Sequence, residues 1–91
     1  MRTISKRHSY QIILHPFVAE KSLTLMDREN KLQFIVKRDA TKEEIKRSIE
    51  DIYDVRVEAV NTMITKHGKK ATVKLKPEYS AEELGMRIGI F

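Results

Sequence analysis

The segment from residue 60 to residue 75 most constrains the fold of this chain. Apolar and polar residues alternate on both sides of His67-Gly68, most regularly from Ala71 to Leu75. A period of two places successive side chains on opposite faces of a β-strand, and a short turn containing Gly joins antiparallel neighbours. The segment therefore predicts a β-hairpin with one apolar face. Pro77 ends its second strand, because proline has no N–H to donate to a sheet.

Residues 41–53 predict a helix. Thr41 and Glu44 have the spacing of a capping box, in which each side chain bonds the backbone N–H of the other residue. Glu43 with Arg47, and Lys46 with Glu50, have the spacing of ion pairs on the exposed side, although Lys46 and Arg47 are equally available to RNA. The apolar residues at the spacing of one helix face are Ile45, Ile49, Ile52 and Tyr53.

The first thirty residues predict a strand and a helix. Residues 10–14 form a short strand that ends at His15-Pro16, and proline suits the first turn of a following helix. That helix runs from residue 17 to about residue 28 and is followed by a turn at Glu29-Asn30. The residues predicted to share its inner face are Val18, Ser22 and Leu25.

Two further strands are predicted on either side of the helix at 41–53. Residues 31–37 alternate, so the strand is expected to be half-buried with Leu32, Phe34 and Val36 facing the core. Residues 55–64 form the first strand of the hairpin. Its inward residues are predicted to be Val55, Val57 and Ala59.

A second capping-box spacing, from Ser80 to Glu83, opens a short C-terminal helix with Leu84 and Ile88 inward. The order is then β-α-β-α-β-β-α, which predicts one small α+β domain with a mainly antiparallel four-stranded sheet packed against helices. The domain is expected to span residues 10–91 and to follow a basic tail at residues 1–9.

Positive charge is concentrated in blocks along the chain. The net charge is +5 over 91 residues, yet residues 39–54 contain six acidic and three basic residues. Residues 66–76 contain five lysines and no acidic residue. Segregation of this kind is typical of proteins that bind polyanions, although a solvated lysine surface is the alternative. Aromatic residues are few, so binding is expected to depend on phosphate and shape more than on base stacking.

Catalytic and cofactor motifs are missing from the sequence. There is no cysteine, and His8, His15 and His67 do not have the spacing of metal ligands. No glycine-rich phosphate loop or membrane-spanning apolar run occurs, and no signal peptide is predicted. An acylphosphatase-like enzyme would need an arginine held by backbone amides near the first strand, where His15-Pro16 stands instead. We therefore expect no enzyme, no metal and no cofactor.

Four segments and one leucine, in this order, carry a family resemblance. They are residues 16–22 (PFVAEKS), 39–46 (DATKEEIK), 60–62 (VNT) and 69–75 (KKATVKL), with Leu84 eight residues after Lys76. Each motif alone is weak, but their order and spacing are specific. From about Ile12 to the C-terminus the chain resembles the ribosomal protein L23 family.

The resemblance implies a structural constituent of the large ribosomal subunit in the cytoplasm. Such a protein binds large-subunit rRNA at the rim of the polypeptide exit tunnel as a single copy, beside ribosomal protein L29, and helps dock the signal recognition particle transiently. No DNA binding or membrane insertion is expected. The loop from Thr65 to Lys70 is too short to reach into the tunnel. In this the chain resembles the archaeal members of the family. The alternative is a free-standing RNA-binding module outside the ribosome.

Residues expected to contact RNA fall in the tail, the first two helices and the hairpin. The tail is expected to be disordered in the free protein and ordered on RNA. Asn61 and Thr62 could contact sugars or base edges, or only form local strand hydrogen bonds. Glu20 corresponds to the residue that docks a chaperone in bacterial relatives, but a carboxylate in the first helical turn is also explained by the helix dipole. The predicted RNA contacts are Arg2, Lys6, Arg7, Lys21, Lys42, Asn61, Thr62, Lys66, His67, Lys69, Lys70, Lys74 and Lys76.

Overall fold

Four strands and three helices follow one another in the predicted order in the computed structural model, which describes residues 11–90. The basic tail, with Arg2, Lys6 and Arg7, lies outside the described residues. The elements are β1 (Ile13–Pro16), α1 (Glu20–Glu29), β2 (Lys31–Val36), α2 (Lys42–Tyr53), β3 (Val57–Thr65), β4 (Gly68–Leu75) and α3 (Ala81–Arg87).

The strands form one antiparallel sheet in the order β1-β2-β4-β3. The predicted hairpin is confirmed as β3 and β4, whose pairing closes at Thr65 and Gly68. Strand β4 also pairs with β2 along six residues, so the two central strands come from distant parts of the chain. The sheet therefore joins the N-terminal and C-terminal halves into one layer.

The hydrophobic core lies on one face of this sheet. Phe34 of β2 and Val73 of β4 are fully buried there beneath Ile45 and Ile49 of α2. The Phe34 ring also stacks on Tyr53, with 5.9 Å between the centroids. Burying side chains of this size stabilises a fold by about 1.5–3 kcal/mol each, and their positions match the predicted apolar stripe of α2.

The helix caps follow the predicted spacing. Glu44 donates its N–H to Thr41 Oγ1 at 3.1 Å, and Thr41 donates its N–H to Glu44 Oε1 at 3.0 Å. The predicted pair of Glu43 and Arg47 is present at 3.3 Å. Glu50 instead accepts a hydrogen bond from the N–H of Val57 at 2.9 Å, so its carboxylate secures the start of β3. In α3, Ser80 Oγ accepts from the N–H of Glu83 at 3.1 Å.

Helix α1 begins later than the sequence predicts. The N–H of Phe17 donates to the carbonyl of Gln33, which keeps the chain extended beside β2 until Ala19. The prediction that Val18 faces inward was wrong, because it precedes the helix and is half-exposed. Met26 takes the buried position one turn after Ser22. The first strand is also shifted, to Ile13–Pro16, and proline is tolerated because β1 is an edge strand.

Strand β2 is buried on both faces, where the alternation predicted a half-buried strand. Gln33 and Ile35 face away from the core but are only 9% and 3% exposed. Gln33 is covered from α1, since Ser22 Oγ donates a hydrogen bond to its Oε1 at 2.9 Å. The start of α1 thus covers the second face of the sheet, which strand alternation alone cannot predict.

A β-bulge near the start of β3 changes which of its side chains face the core. The register shifts between Val57 and Ala59. Val57 is fully buried as predicted, but Ala59 is exposed and Val60 packs against the core in its place. One additional residue in a strand reverses the faces of all residues beyond it. The prediction that Ala59 faces inward was therefore wrong.

Asn30 joins the end of α1 to the segment after β4. It adopts the left-handed conformation (φ 57°) and caps α1 by donating its N–H to the carbonyl of Leu25. Its side-chain Nδ2 donates to the carbonyl of Tyr79 at 2.8 Å, and its Oδ1 accepts from the N–H of Ala81 at 2.7 Å. The N–H of Leu75 donates to its backbone carbonyl at 3.1 Å. One residue thus satisfies polar groups at the ends of two helices and one strand.

We expect Asn30→Ala to lower the free energy of unfolding by about 2–4 kcal/mol, because it loses these side-chain bonds and strains a left-handed residue. Asn30→Gly loses the same bonds without the strain, so it should cost about 1–2 kcal/mol less than Asn30→Ala. Urea unfolding of the purified chain measures both values. A loss below about 0.5 kcal/mol for Asn30→Ala, the range of ordinary surface changes, would contradict this role.

Candidate nucleic-acid interface

Side chains on the sheet surface away from the core, here called the outer face, form three cross-strand rows. Register places Gln33, Thr72 and Asn61 in one row, and Ile35, Lys70 and Met63 in the next. The third row holds Lys31, Lys74 and Ala59. The bulge in β3 is responsible for this arrangement, because it turns Asn61 and Met63 to the outer face. Polar and basic residues predicted from different strands are therefore neighbours.

A groove of about 350 Å³ lies on the outer face between α1 and the hairpin. We call it the outer groove. Lys21 and Leu25 line it from α1, where their i,i+4 spacing places them on one flank of the helix. Lys70 lines it from β4 and Met63 from β3. Among residues 11–90, two lysines and no acidic residue line the groove, a charge balance that attracts phosphate groups.

The floor of the outer groove consists of amide and hydroxyl groups. Gln33 is held in one orientation, because its Oε1 accepts from Ser22 Oγ at 2.9 Å and its Nε2 donates to Thr72 Oγ1 at 3.3 Å. Asn61 pairs with Thr72 across the hairpin, and its own side chain is exposed. Thr62 also borders the groove, but it is paired with Ala71 and so belongs to the core face of the sheet. The strand therefore presents Asn61 rather than Thr62 to the outer face.

A small aromatic and basic cluster lies beside the turn of the hairpin. The Lys70 ammonium nitrogen is 5.0 Å from the centroid of the Phe17 ring, within the range of a cation–π contact. The His67 ring is 5.7 Å from the same ring. Gly68 has φ 116°, a conformation that side-chain-bearing residues rarely adopt, and this lets the chain turn tightly after His67. The cluster fixes Lys70 and His67 on the same side of the sheet.

The other hairpin lysines do not form one patch. Lys69 is on the core face of the sheet, and its ammonium donates a hydrogen bond to the Ala40 carbonyl. Lys74 is on the outer face, where it pairs with Glu58 at 3.3 Å. Lys66 is exposed in the turn. The structure therefore separates lysines that the sequence grouped by position alone.

Two more of the predicted lysines lie away from the hairpin turn. Lys76 lines a separate groove of about 400 Å³ with Lys46, Arg56 and Glu50. Lys42 is exposed in the first turn of α2. Of the ten predicted RNA contacts that lie within residues 11–90, Lys21, Asn61, Thr62 and Lys70 line the outer groove.

The opposite flank of α1 is acidic. Leu23 and Asp27 lie there and, with Glu82 of α3, line a second groove of about 400 Å³, here called the acidic groove, in which Arg28 is a basic lining residue beside the two carboxylates. Leu23 is 44% exposed. Glu20 is exposed in the first turn of the helix and lies one turn before Leu23 on this flank. Helix α1 thus separates a basic groove from an acidic one.

Sequence reasoning did not identify Phe17, Leu25 and Met63 as part of this surface. Leu25 was expected to face the core, but it is only partly buried, four residues after Lys21 on the same flank. That spacing was the available signal. Met63 could be assigned to the outer face only with knowledge of the bulge. The position of the Phe17 ring depends on the path of the chain after β1, for which the sequence carries no local signal.

Between residues 11 and 90, no group of three or more His, Asp or Glu side chains is arranged to hold a metal ion. None of the helices that the structure describes is long and apolar enough to cross a membrane.

Comparisons with known proteins agree on one family. The family model described as Ribosomal protein L23 matches residues 11–83. A protein named Large ribosomal subunit protein uL23 from Thermoplasma acidophilum is 52% identical over 80 residues, which is 88% of this chain and 95% of that protein. The protein of the same name from Picrophilus torridus is 52% identical over 87% of this chain and 96% of its own length. The protein of that name from Methanothermobacter thermautotrophicus is 43% identical over 90% of this chain and 96% of its own length.

Proposed function

The chain belongs to the ribosomal protein L23 family, and from this premise we propose that it binds large-subunit rRNA through the outer groove and the hairpin turn, within cytoplasmic ribosomes. Its relatives are named as proteins of the large ribosomal subunit, so its role is that of a structural ribosomal component and not of an enzyme.

One observation carries the rRNA proposal: Lys21 and Lys70 flank a groove that no acidic residue lines. Paired surface lysines such as Lys74 are less available, because Glu58 already neutralises part of their charge. A lysine held on a sheet or helix also loses less conformational entropy on docking than one in a loose segment. Lys66 and His67 extend the basic surface at the turn, and the tail residues Arg2, Lys6 and Arg7 would add to it.

We further propose that the protein lies at the rim of the polypeptide exit tunnel, beside ribosomal protein L29, and helps dock the signal recognition particle transiently. The family resemblance supports this position. The charge of α1 is consistent with it, because Glu20, Leu23 and Asp27 lie on the flank away from the outer groove. A protein bound to RNA by its basic side would leave this acidic, partly apolar flank for other proteins.

Sedimentation separates the ribosomal function from that of a free-standing RNA-binding module. We expect the tagged protein in native lysate to migrate with the large subunit on a sucrose gradient at moderate salt, and to be released by high salt or nuclease. The release by salt is expected because phosphate contacts weaken as salt rises. Protein that stayed at the top of the gradient at moderate salt would support the free module instead.

Two neighbouring lysines provide a matched test of the groove. We expect Lys70→Ala to weaken binding to a large-subunit rRNA transcript and to reduce the slope of log K against log salt by about 1, the effect of one lost phosphate contact. Lys69→Ala should leave the slope unchanged, because that ammonium is bonded to Ala40 on the core face of the sheet. Filter binding at several salt concentrations measures both. Equal slopes for the two variants would contradict the assignment of the groove.

The docking proposal is tested from position 20. A photoreactive residue replacing Glu20 is expected to crosslink to the signal recognition particle on purified ribosomes carrying a signal sequence, and one replacing Lys46 on α2 serves as the control. Crosslinking of equal yield from both positions, or none from position 20, would remove the role of Glu20. In that case its carboxylate would serve only to stabilise the start of α1.

A further inference from the structure

We propose that the outer groove receives a single unpaired nucleotide of the RNA, with its base turned out of the helical stack. This inference rests on the proposed rRNA function and specifies the ligand of the same site. The resemblance and the comparisons assign no such pocket. Four features of the groove support the proposal: its shape, the polar groups on its floor, the apolar groups on its walls and the two lysines at its sides.

The shape of the groove favours one nucleotide over a duplex. Its volume of about 350 Å³ lies near the lower end of the range for small-ligand pockets, about 300–1,000 Å³. It is recessed between Lys21 and Leu25 of α1 on one side and the hairpin on the other. The ridges of an RNA duplex are broad and carry phosphates outward, so they suit a recess of about 350 Å³ poorly. A base that has left the stack is flat and can enter.

The floor presents hydrogen-bonding groups suited to the edge of a base. Asn61 carries a carbonyl oxygen and two N–H groups, and it faces the groove without burial. Gln33 is fixed by Ser22 and Thr72, and its Nε2 retains a second N–H beyond the one it donates to Thr72. Amide groups of this kind pair with the edges of exposed bases. A phosphate cannot bond an amide oxygen, because both groups are hydrogen-bond acceptors, whereas a base edge also offers donors.

The walls supply contacts for the faces of a base. Leu25 is partly buried in the wall of the groove formed by α1, and Met63 is 57% exposed in the wall formed by the hairpin. Methionine has a flexible, polarizable side chain that packs well against aromatic rings. Burying these two apolar side chains against a base would remove them from water.

Lys21 and Lys70 then take the phosphates on either side of the base. They lie on different elements that border the same groove, one on α1 and one on β4. Lys70 is also held against the Phe17 ring, which limits the positions of its ammonium. A nucleotide turned out of the stack draws its two flanking phosphates toward the protein. Two lysines that border one polar pocket from different elements suit that arrangement.

The test uses the full chain bound to a large-subunit rRNA transcript, probed in two ways. Hydroxyl radicals report protection of the backbone, and base-specific modifying reagents report protection of base edges. We expect an unpaired nucleotide, reactive in free RNA, to lie within the backbone footprint and to be protected by the wild-type protein. Asn61→Ala and Met63→Ala should return that base to the reactivity of free RNA while the backbone footprint remains.

Ile64→Ala is the matched control. Ile64 is also 57% exposed and follows Met63 directly, but it is paired with Lys69 and points to the core face of the sheet, away from the outer groove. It should keep both protections. A backbone footprint without any protected unpaired base, or base protection unchanged in Asn61→Ala and Met63→Ala, would overturn the nucleotide pocket alone. The absence of any backbone footprint with wild-type protein would instead overturn the rRNA function on which the pocket rests.

Discussion

The hydrogen bonds of Asn30 join the end of α1 to the loop after β4 and to the start of α3. The residue ends α1, and its side chain bonds Tyr79 and Ala81, almost fifty residues later. Without it, the loop after β4 would leave a carbonyl and a helix N–H unsatisfied, which is costly when such groups are withdrawn from water. The position of α1 on the sheet, and hence both grooves beside it, depends on this connection.

The location of α1 explains how one small domain can present two surfaces of opposite charge. Its buried residues, Ser22 and Met26, face the sheet and core, and its two flanks face different neighbours. Lys21 is on the flank toward the hairpin, while Asp27 is on the flank toward α3. A net charge of +5 alone would suggest a uniformly attractive surface for RNA. The helix instead separates a groove lined by lysines from one lined mainly by carboxylates.

Much of the fold could be predicted from local patterns, and the errors have specific physical causes. The capping box at Thr41 and the alternation around His67 depend on residues close in sequence, so they were recognised. The bulge before Ala59 was not, because a bulge depends on how β3 pairs with β4, which no local pattern in the sequence shows. The burial of Gln33 likewise depends on Ser22, a contact between two elements.

The candidate site was predictable to a smaller extent. Lys21, Asn61 and Lys70 were chosen from motifs and charge, and the fold brings them to one groove. Charge alone could not distinguish Lys69 from Lys70, since the two differ only in which face of the sheet they occupy. The sequence shows which residues can attract RNA, whereas their selection depends on strand register.

The strand order has a consequence for how the protein is made. Strand β2 lies between β1 and β4, and Leu32 is paired with Val73. During synthesis, β1 and α2 can already contact Phe34, but β2 has no second neighbouring strand until β4, about forty residues after Phe34, has been added. Long-range pairings of this kind form slowly because a large loop must close first. Folding therefore waits for nearly complete translation, and a chain released early would carry its core residues exposed.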